Sequence, residues 1–430
     1  MRKIIFLLLI LTTWLAAQDS ALVARLVALP GVAVKTVRPD SGFRQAFEID
    51  FTQPVDHNRP YGAQFKQRII LSHLNVNRPV VLITEGYNFY SNHTRELSRL
   101  LQANEIRVEH RFFGESKPDS MDWRYLTIEQ AAADHHRIVQ IFKKIYPRQW
   151  INTGWSKGGQ TSIFHRYFYP NDVAATVAYD APLNLQKEEK RIDRFFGKVG
   201  TAYCRQRLKA FQRTALKRKN QLLPLFKQFA QKKHYDYSIG LEAALEYAVL
   251  EYPFSFWQYH KIECDSIPDS TASAECIFNH LKRVVALSSY NDHALNSPAM
   301  YQFFTQLGYY GYVTKGLEPY LSGAYGYSNS IFAPEAARDR YDPEPMQRIN
   351  HWLQTKARRM LFIYGGRDPW SACAVNTNGN PNLVKFVLPE GNHFTFIRTF
   401  PPDQQKAILH ILRRWLAGNN GRHDKIQKRF

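Results

Sequence analysis

Three residues have the types, spacing and order that nucleophilic acyl transfer requires. Ser156 lies in Gly154-Trp155-Ser156-Lys157-Gly158-Gly159, a G-x-S-x-G pattern with one further glycine. A serine so flanked sits on a strand-to-helix turn too sharp for side chains two residues away, and its hydroxyl projects outward. Asp368 follows in Gly365-Gly366-Arg367-Asp368-Pro369-Trp370, and His393 in Gly391-Asn392-His393-Phe394. In that order the imidazole can take the serine proton and return it to a leaving group, while the carboxylate fixes its tautomer. The amide of Lys157, at the start of the following helix, is expected to donate to an oxyanion; a second donor is expected from Tyr87, or from Gly86. His110, His135 and His136 fall outside this order and read as structural or solvated.

These groups must meet at the carboxyl edge of a sheet, where catalytic groups collect in open α/β folds. Residues 47–51 and 67–73 alternate apolar and polar side chains, as half-buried antiparallel strands do. Residues 79–84 (PVVLIT), 105–110, 150–153 and 173–179 read as further strands. A capping box at Thr127-Ile128-Glu129-Gln130 opens a helix expected to run to Tyr146, and a second helix is expected over 157–167. From 183 to 341 the alternation stops, and an aromatic-rich helical stretch replaces it. Strands at 359–364 and 383–388 and a helix over 402–416 then resume it. The expected fold is α/β: an α/β-hydrolase with a mostly parallel sheet, helices on both faces and an inserted helical cap. The hydrolase parts are expected at 18–182 and 342–430, and the cap at 183–341.

Residues 1–17 read as a signal peptide: Arg2 and Lys3, an apolar run from Ile4 to Leu15, then Ala16-Ala17. That run is short of the ~20 apolar residues of a bilayer span, so an exported protein, periplasmic or extracellular, without a stable membrane anchor is expected. The formal charge of +20 falls to +18 without Arg2 and Lys3. The positive residues are dispersed and follow no nucleic-acid-binding motif, so no nucleic-acid partner is expected. Cys204, Cys264, Cys276 and Cys373 allow two disulfides in three connectivities. Cys264 and Cys276 flank a short loop and are expected to pair, leaving Cys204 for Cys373. Their spacing lacks the close C-x-x-C pairs of a zinc site, and neither a metal nor a cofactor is expected.

The chain resembles the bacterial prolyl tri/tetrapeptidyl aminopeptidases, secreted serine peptidases similar to the lysosomal Pro-X carboxypeptidase and dipeptidyl-peptidase group. The resemblance rests on Gln53-Pro54-Val55-Asp56-His57, Thr84-Glu85-Gly86-Tyr87, the EHRFFG segment at 109–114, Glu129–Asp134, Thr153–Gly159 and Gln306-Leu307-Gly308-Tyr309-Tyr310. It implies an exopeptidase that acts on peptide substrates and releases short peptides from free N-termini by cutting after proline. The carboxypeptidase-like relatives carry a GGSYGG type of elbow where this chain has GWSKGG, which favours the aminopeptidase branch.

Such an enzyme needs an apolar pocket for the proline ring and a buried carboxylate for the substrate ammonium. Glu85, beside the expected oxyanion loop, is one candidate for the carboxylate, and Glu246, Glu251 and Glu263 in the cap are others, with no ranking among them. Trp257 and Tyr309, with Phe254, Phe256 and Tyr310, are candidates for the pocket. The alternatives are a carboxypeptidase-like prolyl peptidase, an esterase or lipase on the same fold, and a binding protein on an inactive scaffold. The short HGG-type loop usual in lipases is absent at Glu85-Gly86-Tyr87.

Overall fold

The computed structural model describes residues 21–259, 262–292, 294–295, 297–323 and 326–418. The expected signal peptide, residues 1–17, therefore lies outside the described residues. Nine strands form one sheet: β1 (Val32–Val37), β2 (Gln45–Pro54), β3 (Gln64–His73), β4 (Val80–Thr84), β5 (Asn104–Val108), β6 (Trp150–Trp155), β7 (Ala175–Tyr179), β8 (Met360–Gly365) and β9 (Leu383–Leu388). Their order is β1-β2-β3-β5-β4-β6-β7-β8-β9. The pairs β1–β2, β2–β3 and β3–β5 are antiparallel, and all later pairs are parallel. This is the mostly parallel sheet of an α/β-hydrolase.

Burial explains the strand sequences. β4, β5, β7 and β8 are buried at every position, as strands covered on both faces must be. Val80 and Leu82 pack with Ile138, Val139 and Phe142 of the Ile128–Phe142 helix, whereas Val81 and Ile83 pack with Ile408, Leu412 and Trp415 of the Pro402–Leu416 helix. The alternation of side chains along one strand thus recruits a helix to each face.

Three local expectations are corrected. The helix opened by Thr127 ends at Phe142, not Tyr146. Thr127 accepts from the Gln130 N–H, but the Gln130 side chain does not close a capping box; it binds Asp56 and the His57 N–H instead. Strand β1 and the short Glu96–Leu101 helix were not anticipated.

Between β7 and β8 the chain leaves the sheet and builds a second apolar core from the Ala202–Lys217, Lys219–Lys233, Leu241–Tyr259 and Ala274–Val284 helices. A disulfide joins Cys204 to Cys264, with Cα atoms 5.3 Å apart, and overturns both expected pairings. The turn after the Leu241–Tyr259 helix carries Cys264 back to the first turn of the Ala202–Lys217 helix. Cys276 is exposed and free on the Ala274–Val284 helix; Cys373 is free and buried beneath the Asp368 loop. Proximity in sequence misled here, because the connecting residues 265–275 lead away from the bridge rather than closing on it.

No helix among the described residues is long and apolar enough to cross a membrane.

Candidate active site

Ser156 stands between β6 and the Lys157–Phe168 helix with φ 58° and ψ −126°, a conformation rare for a side-chain-bearing residue. Its N–H is held by Tyr179 O at 2.8 Å. The elbow is this tight because glycine makes it possible. A Cβ on Gly154 would strike the Gly158 carbonyl, and one on Gly159 would lie 2.7 Å from Ala181 Cβ.

Asp368 and His393 come from the loops after β8 and β9 and are almost fully buried. The Nδ1 of His393 lies 2.6 Å from Asp368 Oδ2, while Asp368 Oδ1 accepts the Trp370 N–H at 3.1 Å. The cap helix Leu241–Tyr259 holds the histidine loop from above. Gln258 O accepts the His393 N–H at 2.9 Å, and Tyr259 O accepts from the Asn392 amide at 3.3 Å. From below, the Trp155 indole N–H donates to His393 O at 2.6 Å.

Ser156 opens onto a cavity of about 340 Å³ between sheet edge and cap, whose wall includes Tyr87, Lys157, Glu251, Phe254, Tyr309 and Tyr310. Tyr310 stacks on Phe254 at 3.9 Å, and both meet the Trp370 ring edge-on. Glu251 is the one acidic residue on this wall among the described residues. Its carboxylate accepts from Ser255 Oγ and Tyr310 Oη, each at 2.8 Å. Burial pushes its pKa up to about 7, more than its hydroxyl partners pull it down.

The other acidic candidates are committed elsewhere. Glu85 is not on the cavity wall; it lies 2.6 Å from Arg107 Nε and 2.7 Å from Arg95 Nη2, so guanidinium charge already neutralises it. Glu246 holds Lys219, Ser322 and Tyr327 inside the cap, and Glu263 is exposed. Trp257 is also off the wall. Its ring packs against Gly200, and Phe256 is buried in the cap core.

Lys157 is buried beneath Tyr87. Its Nζ donates to Gly86 O at 2.6 Å and lies 5.2 Å and 4.9 Å from the Tyr87 and Phe113 ring centres. Burial drives its pKa well below that of a free lysine, and its amine bridges the elbow to the loop after β4.

The segments that carried the resemblance form one buried polar network beneath this site. Arg111 grips Asp134 at 2.7 and 2.8 Å, and His57 lies 2.7 Å from the same carboxylate. Gln53 reaches Gln67 and Asp134 O, while Glu109 accepts from Ser116 Oγ and the Glu115 N–H. These residues hold β2, β3 and the loop after β5 in place, so the contacts of these segments are structural. The reading from residues alone missed Gln258, Tyr259 and Trp370. Only Trp370, adjoining Asp368, had a nearby motif to signal it.

Sheet order and strained elbow define an α/β-hydrolase. The chain matches the PS-10 peptidase S37 family over residues 17–426 and belongs to that family. It is 33% identical over 414 residues to the prolyl tri/tetrapeptidyl aminopeptidase of Streptomyces mobaraensis, across 93% of this chain and 86% of that one. It is 22% identical over 446 residues to the lysosomal Pro-X carboxypeptidase of Mus musculus, across 86% and 88%. The solved proline iminopeptidase of Mycobacterium smegmatis aligns over 86% of this chain and 100% of its own, at 13% identity and a TM-score of 0.44. The protein is a serine peptidase.

Proposed function

We propose that this peptidase releases short peptides, of three or four residues, from free N-termini by cleavage after proline. The observation that carries the reading is Glu251, a buried carboxylate on the wall of the cavity that Ser156 opens onto. An ammonium group entering there meets a carboxylate in a poorly solvated site, where a charge-assisted hydrogen bond is strong. The Phe254, Tyr309, Tyr310 and Trp370 rings supply an apolar, flat-walled pocket for proline, which brings no N–H to satisfy.

In this reading Ser156 attacks the carbonyl after proline and passes its proton to His393, which delivers it to the leaving amine. Asp368 orients the imidazole through the 2.6 Å contact with Nδ1. The Lys157 N–H, an orphan donor at a helix start, and the Tyr87 N–H stabilise the oxyanion. Water then releases the acyl peptide by the same route in reverse.

The carboxypeptidase alternative would need a cation for the substrate carboxylate. Lys157 is the one basic residue on the wall among the described residues, and its amine is already engaged with Gly86 O. Export is part of the proposal, supported by the Cys204–Cys264 bridge, since such bridges persist in oxidising compartments.

The test compares Ala-Ala-Pro-4-nitroanilide with its N-acetylated form on the wild type and on Glu251→Gln. The wild type should prefer the free amine by about 100-fold or more in kcat/KM, the scale of a charge-assisted bond, and the variant should lose most of that preference. Equal cleavage of both substrates by the wild type would remove the aminopeptidase reading and leave the serine peptidase intact.

A further inference from the structure

Asp180, the residue after β7, has no part in the scheme above, yet it is fully buried at 0% exposure. Its Oδ1 accepts the Gly365 N–H at 2.9 Å; Oδ2 makes no hydrogen bond of good geometry among the described residues, although the Thr395 N–H and the Trp155 indole N–H face the carboxylate. One carboxylate oxygen of Asp180, one of Asp368 and a ring nitrogen of His393 all lie within 4.8 Å of one another. The backbone holds it there. Asp180 has φ 43°, its N–H donates to Ile363 O at 2.7 Å, and the preceding Tyr179 O holds the Ser156 N–H.

Two carboxylates so close and so buried do not both ionise, because neither charge is solvated and each repels the other. Desolvation, then the Asp368 charge, hold the Asp180 carboxyl well above the usual carboxylate range. The titratable groups around it are Asp368, His393 and Tyr364, whose hydroxyl donates to Ala181 O at 2.8 Å. Of the two acids, Asp368 makes the contact with His393 Nδ1, at 2.6 Å.

We propose that Asp180 is a second positioning acid for His393, buried beside Asp368 and able to accept the imidazole N–H when Asp368 cannot. The inference rests on the Ser156, His393 and Asp368 reading. When Asp368 loses its charge, its share of what keeps Asp180 protonated disappears, and only desolvation still opposes ionisation. Above its lowered pKa, Asp180 releases its proton to solvent, and its carboxylate becomes the acceptor.

The test follows kcat/KM against pH for Ala-Ala-Pro-4-nitroanilide on Ser156→Ala, Asp368→Asn and Asp368→Asn/Asp180→Asn, with near-UV circular dichroism to establish folding. Asp368→Asn alone should lose about 10²-fold, short of the ~10⁴-fold known when a triad loses its orienting acid. Its remaining rate should climb at least tenfold as Asp180 ionises. Adding Asp180→Asn should remove that climb and cost roughly a further 100-fold; Asp180→Ser in the same background should do likewise. A flat profile in Asp368→Asn, or a double variant equal to it at every pH, would overturn the proposal. Wild-type activity in Ser156→Ala or Asp368→Asn would instead show that the triad reading had failed, and the proposal with it.

Discussion

The amine of Lys157 and the carbonyl of Gly86 are 2.6 Å apart, a single hydrogen bond linking the residue after Ser156 to the loop that carries Tyr87. A Cβ on Gly86 would meet Lys157 and Gly158 backbone at 2.6–2.7 Å, so the two segments already touch without side chains between them. Contact and hydrogen bond together fix the spacing of the Lys157 and Tyr87 amides, the two proposed oxyanion donors.

Lys157→Met keeps the apolar stem and leaves the Gly86 carbonyl without its donor. An unsatisfied buried acceptor costs about 1–3 kcal/mol, so kcat should fall about 10–100-fold, with KM changing far less. Steady-state kinetics decide it, and an unchanged kcat would show that the bond has no bearing on the transition state.

Ser156→Ala should fold normally, since the elbow is shaped by glycines and the Tyr179 O contact rather than by the hydroxyl. Turnover should drop by about 10⁶-fold, and covalent labelling by a fluorophosphonate should disappear. Thermal unfolding within a few degrees of wild type, together with lost labelling, is the expected pair of results.

Glu251 makes substrate preference depend on pH. Its raised pKa, about 7, means that the free enzyme offers a carboxylate only above neutrality. The ratio of kcat/KM for free and N-acetylated peptides cancels the shared chemistry. It should rise through about pH 7 and fall again near pH 8, where peptide amines deprotonate. A ratio independent of pH would exclude Glu251 as the ammonium partner.

The same residue should reveal itself in stability. A carboxyl whose folded pKa is raised from 4.5 to about 7 binds its proton more tightly in the folded state, so stability falls as pH rises between those values and is level above them. Glu251→Gln removes the term. Its Tm relative to wild type should therefore be higher at pH 8 than at pH 4, the reverse of what losing a favourable ion pair would give.

Cys204 and Cys264 are 60 residues apart, and closing a loop of that length contributes about 4 kcal/mol by constraining the unfolded chain. Cys204→Ser/Cys264→Ser should lower the Tm, whereas Cys276→Ser should leave it unchanged. Peptide mapping without reductant should join Cys204 to Cys264, with Cys276 alkylated in the folded protein and Cys373 only after unfolding.

Where local chemistry dictates structure, the residues alone sufficed. The elbow at Ser156 needs glycines at fixed offsets, and each apolar strand run announces the loop behind it; hence β9 spans the anticipated 383–388 and the closing helix 402–416. Groups that meet through the fold were another matter. Glu85 adjoins the expected oxyanion loop in sequence, yet Arg107 and Arg95 claim it, while Glu251 reaches the cavity from a cap helix 95 positions beyond Ser156. Asp180 ends an ordinary buried strand and matters only because β7 lies beside β8, whose loop supplies Asp368. Sequence spacing determines which residues share a turn or a strand. The tertiary structure decided which carboxylates face cations, which face one another and which face the cavity, because charge and burial act across space and not along the chain.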